Sequence, residues 1–187
     1  MTALLIILGV LVLIAFFVIG IYNRLVALRQ TCNQAWSDIE VQLKQRHDLV
    51  PQLVNTVKGY AKHEKSTLEE VIQARNMAVG AGGVQGQAQA EGMLGAALGK
   101  LFALSEAYPG LKANTNFLQL QDELSDVEDK IAASRRFYNN SVQEYNTASE
   151  QFPANLIAGP FNFVQREFFE AIEGREALET PVEVNFD

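Results

Sequence analysis

Residues 117–145 read FLQLQDELSDVEDKIAASRRFYNNSVQEY. An aromatic or aliphatic residue recurs in this stretch at every seventh position, giving the row Phe117, Leu124, Ile131, Tyr138 and Tyr145. A second row lies between its members: Leu120, Val127, Ser134 and Ser141. A seven-residue apolar repeat keeps one face of a helix turned towards a neighbouring helix over many turns. The stretch therefore predicts one long helix in side-by-side packing, capped at Asn114 or Thr115 and ending near Pro153.

The region between Tyr22 and Tyr60 carries a second apolar face. Its members are separated by three, four or seven residues: Tyr22, Leu25, Cys32, Trp36, Ile39, Leu43, Val50, Leu53, Val57 and Tyr60. This spacing is typical of one buried side of a helix. Pro51 has no N–H and its ring clashes with the preceding turn, so we expect a bend there and a further helix over residues 55–77.

Three more segments complete the predicted organisation. Glycines in residues 80–83 predict a turn, and residues 85–108 predict a helix that Pro109 ends. A last short, aromatic helix is predicted over residues 161–177, before a loose tail at 179–187. Long helices joined by short turns predict an all-α fold, an antiparallel up-and-down bundle with coiled-coil-like packing over residues 23–178.

The N-terminal stretch 3–21, ALLIILGVLVLIAFFVIGI, contains only apolar residues and glycine. At about 1.5 Å per residue it approaches the roughly 30 Å hydrocarbon core of a bilayer. A cleaved signal peptide would have a basic start, a shorter apolar run and a small-residue cleavage site. We therefore predict an uncleaved transmembrane anchor over residues 1–22. Arg24 and Arg29 favour a cytoplasmic C-terminal domain, with a periplasmic or extracellular one as the alternative.

Composition excludes several classes of function. Lys and Arg number 15 against 22 Asp and Glu, a net charge of −7, which repels nucleic acid. One cysteine and two histidines make neither an intrachain disulfide nor a usual zinc site. His63-Glu64 begins the zinc-protease motif H-E-x-x-H, but position 67 is Thr.

Catalytic constellations are also missing. Cys32 and His47 are about 22 Å apart along one predicted helix, so they do not form a nucleophile–base pair. The acids at Asp122, Glu123 and Asp126 lack the Glu-x-x-His elements that di-metal bundles require, which favours solvated faces. We therefore predict no enzyme activity, no metal and no cofactor.

Some residues suggest interaction sites. Arg29 and Arg46 interrupt an apolar face, so they either pair with acids such as Asp126 or Glu128 or lie at a subunit interface. The C-terminal aromatic residues either cap the bundle or form an exposed patch for a partner or the bilayer. The candidate interaction residues are Trp36, Arg46, Tyr138, Tyr145, Phe161, Phe163, Phe168 and Phe169.

Two tyrosine–asparagine pairs, Tyr138-Asn139 and Tyr145-Asn146, repeat seven residues apart on the same seam. One interpretation is that the rings lie at the edge of the core and the hydroxyls form hydrogen bonds. The other is a contact with a ligand or a second subunit. Both interpretations fit the spacing.

Short motifs along the chain carry a family resemblance. They are Ala35-Trp36-Ser37-Asp38-Ile39, Asp48-Leu49-Val50-Pro51, Val57-Lys58-Gly59-Tyr60-Ala61 with His63-Glu64, Glu106-Ala107-Tyr108-Pro109, Leu111-Lys112-Ala113-Asn114 and Tyr145-Asn146-Thr147. Together the motifs resemble the LemA family over most of the predicted bundle. The resemblance implies a bacterial single-pass inner-membrane protein with a long-helix bundle and no established enzymatic activity.

These features predict a membrane-anchored scaffold without catalytic activity. Its expected partners are the lipid bilayer and further copies of itself, through helix–helix contacts. The alternative is an adaptor or regulator of another membrane machine, such as a quality-control protease.

Overall fold

The computed structural model describes residues 1–170, which contain six helices and no strand. The helices are α1 (Thr2–Lys58), α2 (Lys65–Gly80), α3 (Gly83–Ser105), α4 (Pro109–Lys112), α5 (Thr115–Glu150) and α6 (Asn155–Ala158). The all-α prediction is confirmed. The predicted loose tail, 179–187, lies outside the described residues.

Internal contacts divide the chain into two units. The first unit combines Met1–Ile39 with Ser134–Glu167, and the second is built mainly from Glu40–Ala133. Helices α1 and α5 contribute residues to both units. Each unit has its own buried apolar side chains, which include Leu25, Cys32, Tyr138 and Tyr145 in the first and Val50, Leu53, Leu94, Leu101 and Phe117 in the second.

Helix α5 begins where the sequence predicts. The side-chain oxygen of Asn114 accepts a hydrogen bond from the N–H of Phe117 at 2.9 Å, the geometry of an N-terminal cap. All five residues of the seven-residue row are buried: Phe117, Leu124, Ile131, Tyr138 and Tyr145. The row therefore packs inside the chain itself, while coiled-coil packing in the strict sense stays a prediction.

Helix α1 continues through Pro51 to Lys58, so the predicted separate helix over residues 55–77 is wrong. Proline leaves the carbonyl four residues earlier, that of His47, without its usual helical donor. Arg75 on α2 donates from Nε to this carbonyl at 3.3 Å. The contact satisfies a part-buried backbone acceptor that proline would otherwise leave unpaired.

The actual break follows at residues 59–64, where a turn leads into α2. In the second unit this turn contacts the segment before α5. Asn114 donates from Nδ2 to the hydroxyl of Tyr60 at 2.9 Å, and the hydroxyl of Tyr108 donates to Glu64 at 3.1 Å. Three of the family motifs thus contact one another, and Glu64 has a structural role in the turn.

The predicted helix over residues 161–177 is wrong for its described part. Residues 163–170 have no helical structure, and Asn162 has a left-handed backbone with φ of 57°. Backbone groups of residues 164–167 are bound by side chains of α5, as shown below. Residues 171–177 lie outside the described part of the chain.

In the described part of the chain, α1 is the one helix long and apolar enough to cross a membrane, by length and composition. Large apolar side chains between Leu4 and Ile19 are exposed in the isolated chain. Exposed apolar groups along a whole helical segment are what a lipid environment accommodates.

Candidate functional site

A cluster of charged side chains is buried in the second unit. Arg46 on α1 binds Glu91 on α3, with 2.9 Å between Nη1 and Oε2, and each side chain is 6% exposed. His47 lies beside it, with 2.7 Å between its Nε2 and the other carboxylate oxygen of Glu91. Arg46 also places Nε 2.8 Å from the half-exposed Glu128 on α5. The cluster therefore links α1, α3 and α5.

Two residues of α3 complete the surroundings of Glu91. Gln87 donates to the carboxylate at 2.9 Å and to the carbonyl of Ala78 at 3.0 Å, which ties α2 to the cluster. A Cβ atom at Gly95 would lie 3.4 Å from Nη2 of Arg46. The glycine therefore leaves room for the guanidinium group.

The electrostatics keep Glu91 ionised. Burial raises the pKa of this carboxyl, but its hydrogen bond to His47 and the charges of His47 and Arg46 outweigh burial and hold the pKa below the usual value. Glu128 was a predicted partner of Arg46, whereas Glu91 was missed. One feature of the sequence could have indicated Glu91 as a partner of Arg46: it is the single acidic residue within α3.

Arg29, the other cation on the apolar face, lies against an aromatic ring in the first unit. Its guanidinium carbon is 5.0 Å from the ring centroid of Phe163, a cation–π distance. Trp36 and Tyr138 also approach each other in this unit, with ring centroids 5.4 Å apart. Aromatic contacts thus join α1 to α5 and to the segment after it.

Residues 163–167, here named the C-terminal strap, are held by α5 through their backbone. Asn146 donates from Nδ2 to the carbonyl of Arg166 and accepts from the N–H of the same residue, both at 2.9 Å. The side-chain amide of Asn146 thereby forms the same two hydrogen bonds with Arg166 that a neighbouring β-strand would form. The guanidinium of Arg166 lies 5.9 Å from the ring centroid of Tyr145 and donates to Asn33 on α1.

The two seam tyrosines hold the strap on either side of Arg166. Tyr145 donates its hydroxyl proton to the carbonyl of Val164 at 3.0 Å, and Tyr138 donates to the carbonyl of Glu167 at 3.0 Å. Burial raises the pKa of both hydroxyls, so both stay protonated donors at neutral pH. The repeated tyrosines are therefore core residues with hydrogen-bonded hydroxyls.

The candidate interaction residues differ in burial. Buried are Arg46, Tyr138, Tyr145, Phe163 and Phe169, and Trp36 is half-buried. Phe161 and Phe168 are exposed. The C-terminal aromatic residues thus divide between core positions and exposed ones.

A model of the LemA family matches residues 35–186. The chain belongs to the LemA family. Magnetosome protein MamQ of Magnetospirillum gryphiswaldense is 28% identical, in an alignment that covers 86% of this chain and 68% of MamQ. Protein LemA of Metamycoplasma hominis is 29% identical over 84% of this chain and 73% of its own length. The family resemblance is confirmed.

The apolar part of α1 and these relatives indicate a membrane-associated protein. The names of the relatives denote no enzymatic activity. Among residues 1–170 of this LemA-family protein, no group of three or more His, Cys, Asp or Glu side chains is placed to hold a metal ion.

Cys32 of the LemA-family protein is fully buried in the first unit, and burial raises the pKa of its thiol. A protonated, enclosed thiol is a poor nucleophile. We expect a maleimide to leave Cys32 unlabelled in the native protein and to label it completely in denaturant. Cys32→Ala combined with Thr31→Cys, which moves the thiol to an exposed position, is the matched control. Equal labelling rates in the two native proteins would contradict the buried assignment.

One open cleft of the LemA-family protein has an unusual lining for an acidic chain. It encloses about 480 Å³ in the second unit, where α1 turns into α2. Its lining residues are Val54, Asn55, Lys58, Lys62, Lys65, Leu68, Glu69 and Ile72. Three lysines against one glutamate give this cleft an excess of positive charge beside its apolar side chains.

Proposed function

We propose that this protein is a membrane-anchored, non-catalytic scaffold that assembles with copies of itself. The observation that carries the proposal is the continuity of α1, which runs unbroken from Thr2 to Lys58. The apolar anchor and the first helix of the bundle are one element, so no flexible linker separates them. Arg24 and Arg29 support a single-pass inner-membrane orientation with the C-terminal part in the cytoplasm.

The buried polar groups support a structural role. Arg46 and His47 both bind Glu91 inside the second unit, and Cys32 is enclosed in the first. Tyr138 and Tyr145 direct their hydroxyls at backbone carbonyls of the strap. These groups have partners within the chain, which is the arrangement expected of side chains that stabilise a fold.

Self-assembly needs a surface other than the seven-residue row, because that row is buried within one chain. Gly9 and Gly20 are about three helical turns apart and so lie on nearly one face of α1. A Cβ atom at either position would meet nothing within 4 Å in the same chain, so internal packing does not require glycine there. Small residues allow close approach of transmembrane helices, which supports a contact between copies on this face.

The test is the mass of the full-length protein in mild detergent, measured by light scattering and corrected for bound detergent. We expect a discrete multimer. Gly9→Leu combined with Gly20→Leu should shift the mass towards the monomer, since larger side chains separate the helices. Ala15→Leu is the matched control, because it enlarges a small residue on a different face and should leave the mass unchanged.

A monomeric wild-type protein, both in detergent and by cross-linking in vesicles, would overturn self-assembly. The second candidate function would then be that of an adaptor for another membrane protein. The lysine-lined cleft supports this candidate, because Lys58, Lys62 and Lys65 offer three charges to an acidic partner. A partner that copurifies in fixed stoichiometry, and is lost on Lys62→Glu, would identify an adaptor.

A further inference from the structure

An uncharged stretch connects α5 to the strap. Residues 151–165 read QFPANLIAGPFNFVQ and contain no Asp, Glu, Lys or Arg, whereas Glu150 and Arg166 flank them on both sides. Outside the N-terminal apolar run, residues 76–90 form the one other stretch of fifteen positions without charge, so the missing charge alone does not set residues 151–165 apart. Such a segment has no side-chain charge to desolvate on entering a less polar environment.

Large apolar side chains of this stretch are exposed. Phe152 is 80% exposed, Leu156 is 66% exposed and Phe161 is 53% exposed. Ile157 and Phe163, in contrast, are buried and attach the stretch to the first unit. Large apolar groups gathered on one exposed segment differ from the single apolar residues found on most surfaces, and they mark a contact surface.

The position of the stretch identifies what it contacts. Tyr22 immediately follows the apolar run of α1, and its ring centroid is 5.2 Å from that of Phe161 and 5.5 Å from that of Phe163. All three residues belong to the first unit. The exposed ring of Phe161 therefore lies beside the end of the membrane anchor, at the level where a tyrosine is expected to meet the bilayer interface, and it brings the uncharged stretch to that level.

We infer that residues 152–161, here named the interfacial loop, insert into the bilayer interface next to α1. The loop lies in the leaflet from which α1 emerges and places its apolar side chains between the headgroups and the upper acyl chains. Aromatic and aliphatic side chains in such segments enter by about 5–10 Å. The inference rests on the proposed transmembrane anchor, and it adds a second membrane contact formed by a segment more than a hundred residues away in sequence.

The second contact restricts the anchor mechanically. A single transmembrane helix is free to rotate about its axis and to change its tilt, since neighbouring contacts set both quantities. The interfacial loop is fixed to the first unit through Ile157 and Phe163. Its insertion therefore sets which side of α1 faces the lipid next to the loop and which side remains open to another copy.

The test uses the full-length protein in phosphatidylcholine–phosphatidylglycerol vesicles, with Cys32→Ala as background. Single cysteines replace Phe152 or Leu156 and carry a nitroxide, whose collisions with oxygen and with a water-soluble nickel chelate are measured. Phe137→Cys is the matched control, because Phe137 is a comparably exposed aromatic residue on α5, about 20 Å before the end of that helix. Val12→Cys reports separately on the anchor.

We expect the ratio of oxygen to nickel collisions at 152 and 156 to exceed that at 137 several-fold and to approach that at 12. Ratios at 152 and 156 that equal the ratio at 137, with 12 in lipid, would overturn the interfacial loop and leave the anchor intact. A water-exposed label at 12 would overturn the anchor and the loop together. Protection at 152 and 156 from both reagents that disappears on dilution with lipid would assign the loop to a second copy and overturn bilayer insertion.

Discussion

Replacing Glu91 by alanine is expected to lower the free energy of unfolding by about 3–5 kcal/mol, the usual cost of removing one partner from a buried ion pair. Arg46 would remain buried with only the half-exposed Glu128 as its acid, and His47 would lose its carboxylate. Urea denaturation of the full-length protein in mild detergent, followed by circular dichroism, measures the change.

Glu70→Ala is the matched control, because it removes an exposed ion pair that Glu70 on α2 forms with Lys100 on α3, the helix that carries Glu91. Exposed pairs contribute at most about 1 kcal/mol, so equal losses in the two variants would contradict the prediction.

The dependence of stability on pH gives a second comparison between the wild type and Glu91→Ala. Because the native pKa of Glu91 is lowered, its contribution is complete above about pH 5 and is lost as the pH falls through the native pKa. Wild-type protein should therefore lose more stability between about pH 5 and pH 3 than Glu91→Ala.

Replacing Asn146 by alanine is expected to release the strap and to cost about 2–4 kcal/mol. The variant leaves both the N–H and the carbonyl of Arg166 without their side-chain partner. Hydrogen exchange followed by mass spectrometry should show faster exchange in the peptide that contains residues 163–167. The helices of the second unit should exchange as in the wild type.

Asn140→Ala tests the same change of side chain at an exposed position on α5, six residues earlier. It should leave both the stability and the exchange of the strap unchanged. If Asn146→Ala behaved like Asn140→Ala, the remaining contacts would be enough to hold the strap and the prediction would be wrong. Adding Tyr138→Phe and Tyr145→Phe would then test whether the two tyrosine hydroxyls hold it.

The helices were predictable because their signals are local. The seven-residue row from Phe117 to Tyr145 follows directly from helical geometry, and the cap at Asn114 follows from the residue types that accept backbone N–H groups. The apolar run of α1 likewise depends only on neighbouring residues. The fold class required no knowledge of contacts between distant parts of the chain.

The continuation of α1 past Pro51 was not predictable in the same way. It depends on Arg75, which comes from another helix and donates to the carbonyl of His47. The pairing of Arg46 with Glu91 has the same character, because the two residues are 45 positions apart. Such contacts arise only when the second unit has folded. The pattern of residues near each position in the sequence therefore does not predict them.

The strap was not predictable from the sequence for a different reason. Tyr138, Tyr145 and Asn146 were visible as a repeated pattern, and one of the two interpretations of their tyrosines was correct. Their partners are backbone groups of residues 164–167. Every residue has such groups, so the sequence does not indicate which of them the side chains bind. A helix was predicted over residues 161–177, whereas side chains of α5 hold the backbone of residues 164–167 in a conformation that is not helical.

The division of the first unit into Met1–Ile39 and Ser134–Glu167 has a consequence for biosynthesis. The ribosome releases the first of these segments long before the second, so the face formed by Leu25, Cys32 and Ala35 has no cover while residues 40–133 are being made. The second unit has nearly all of its sequence by then and is able to fold during translation. The unit that holds the anchor is the last to close, and its open face is available to chaperones for most of the time of synthesis.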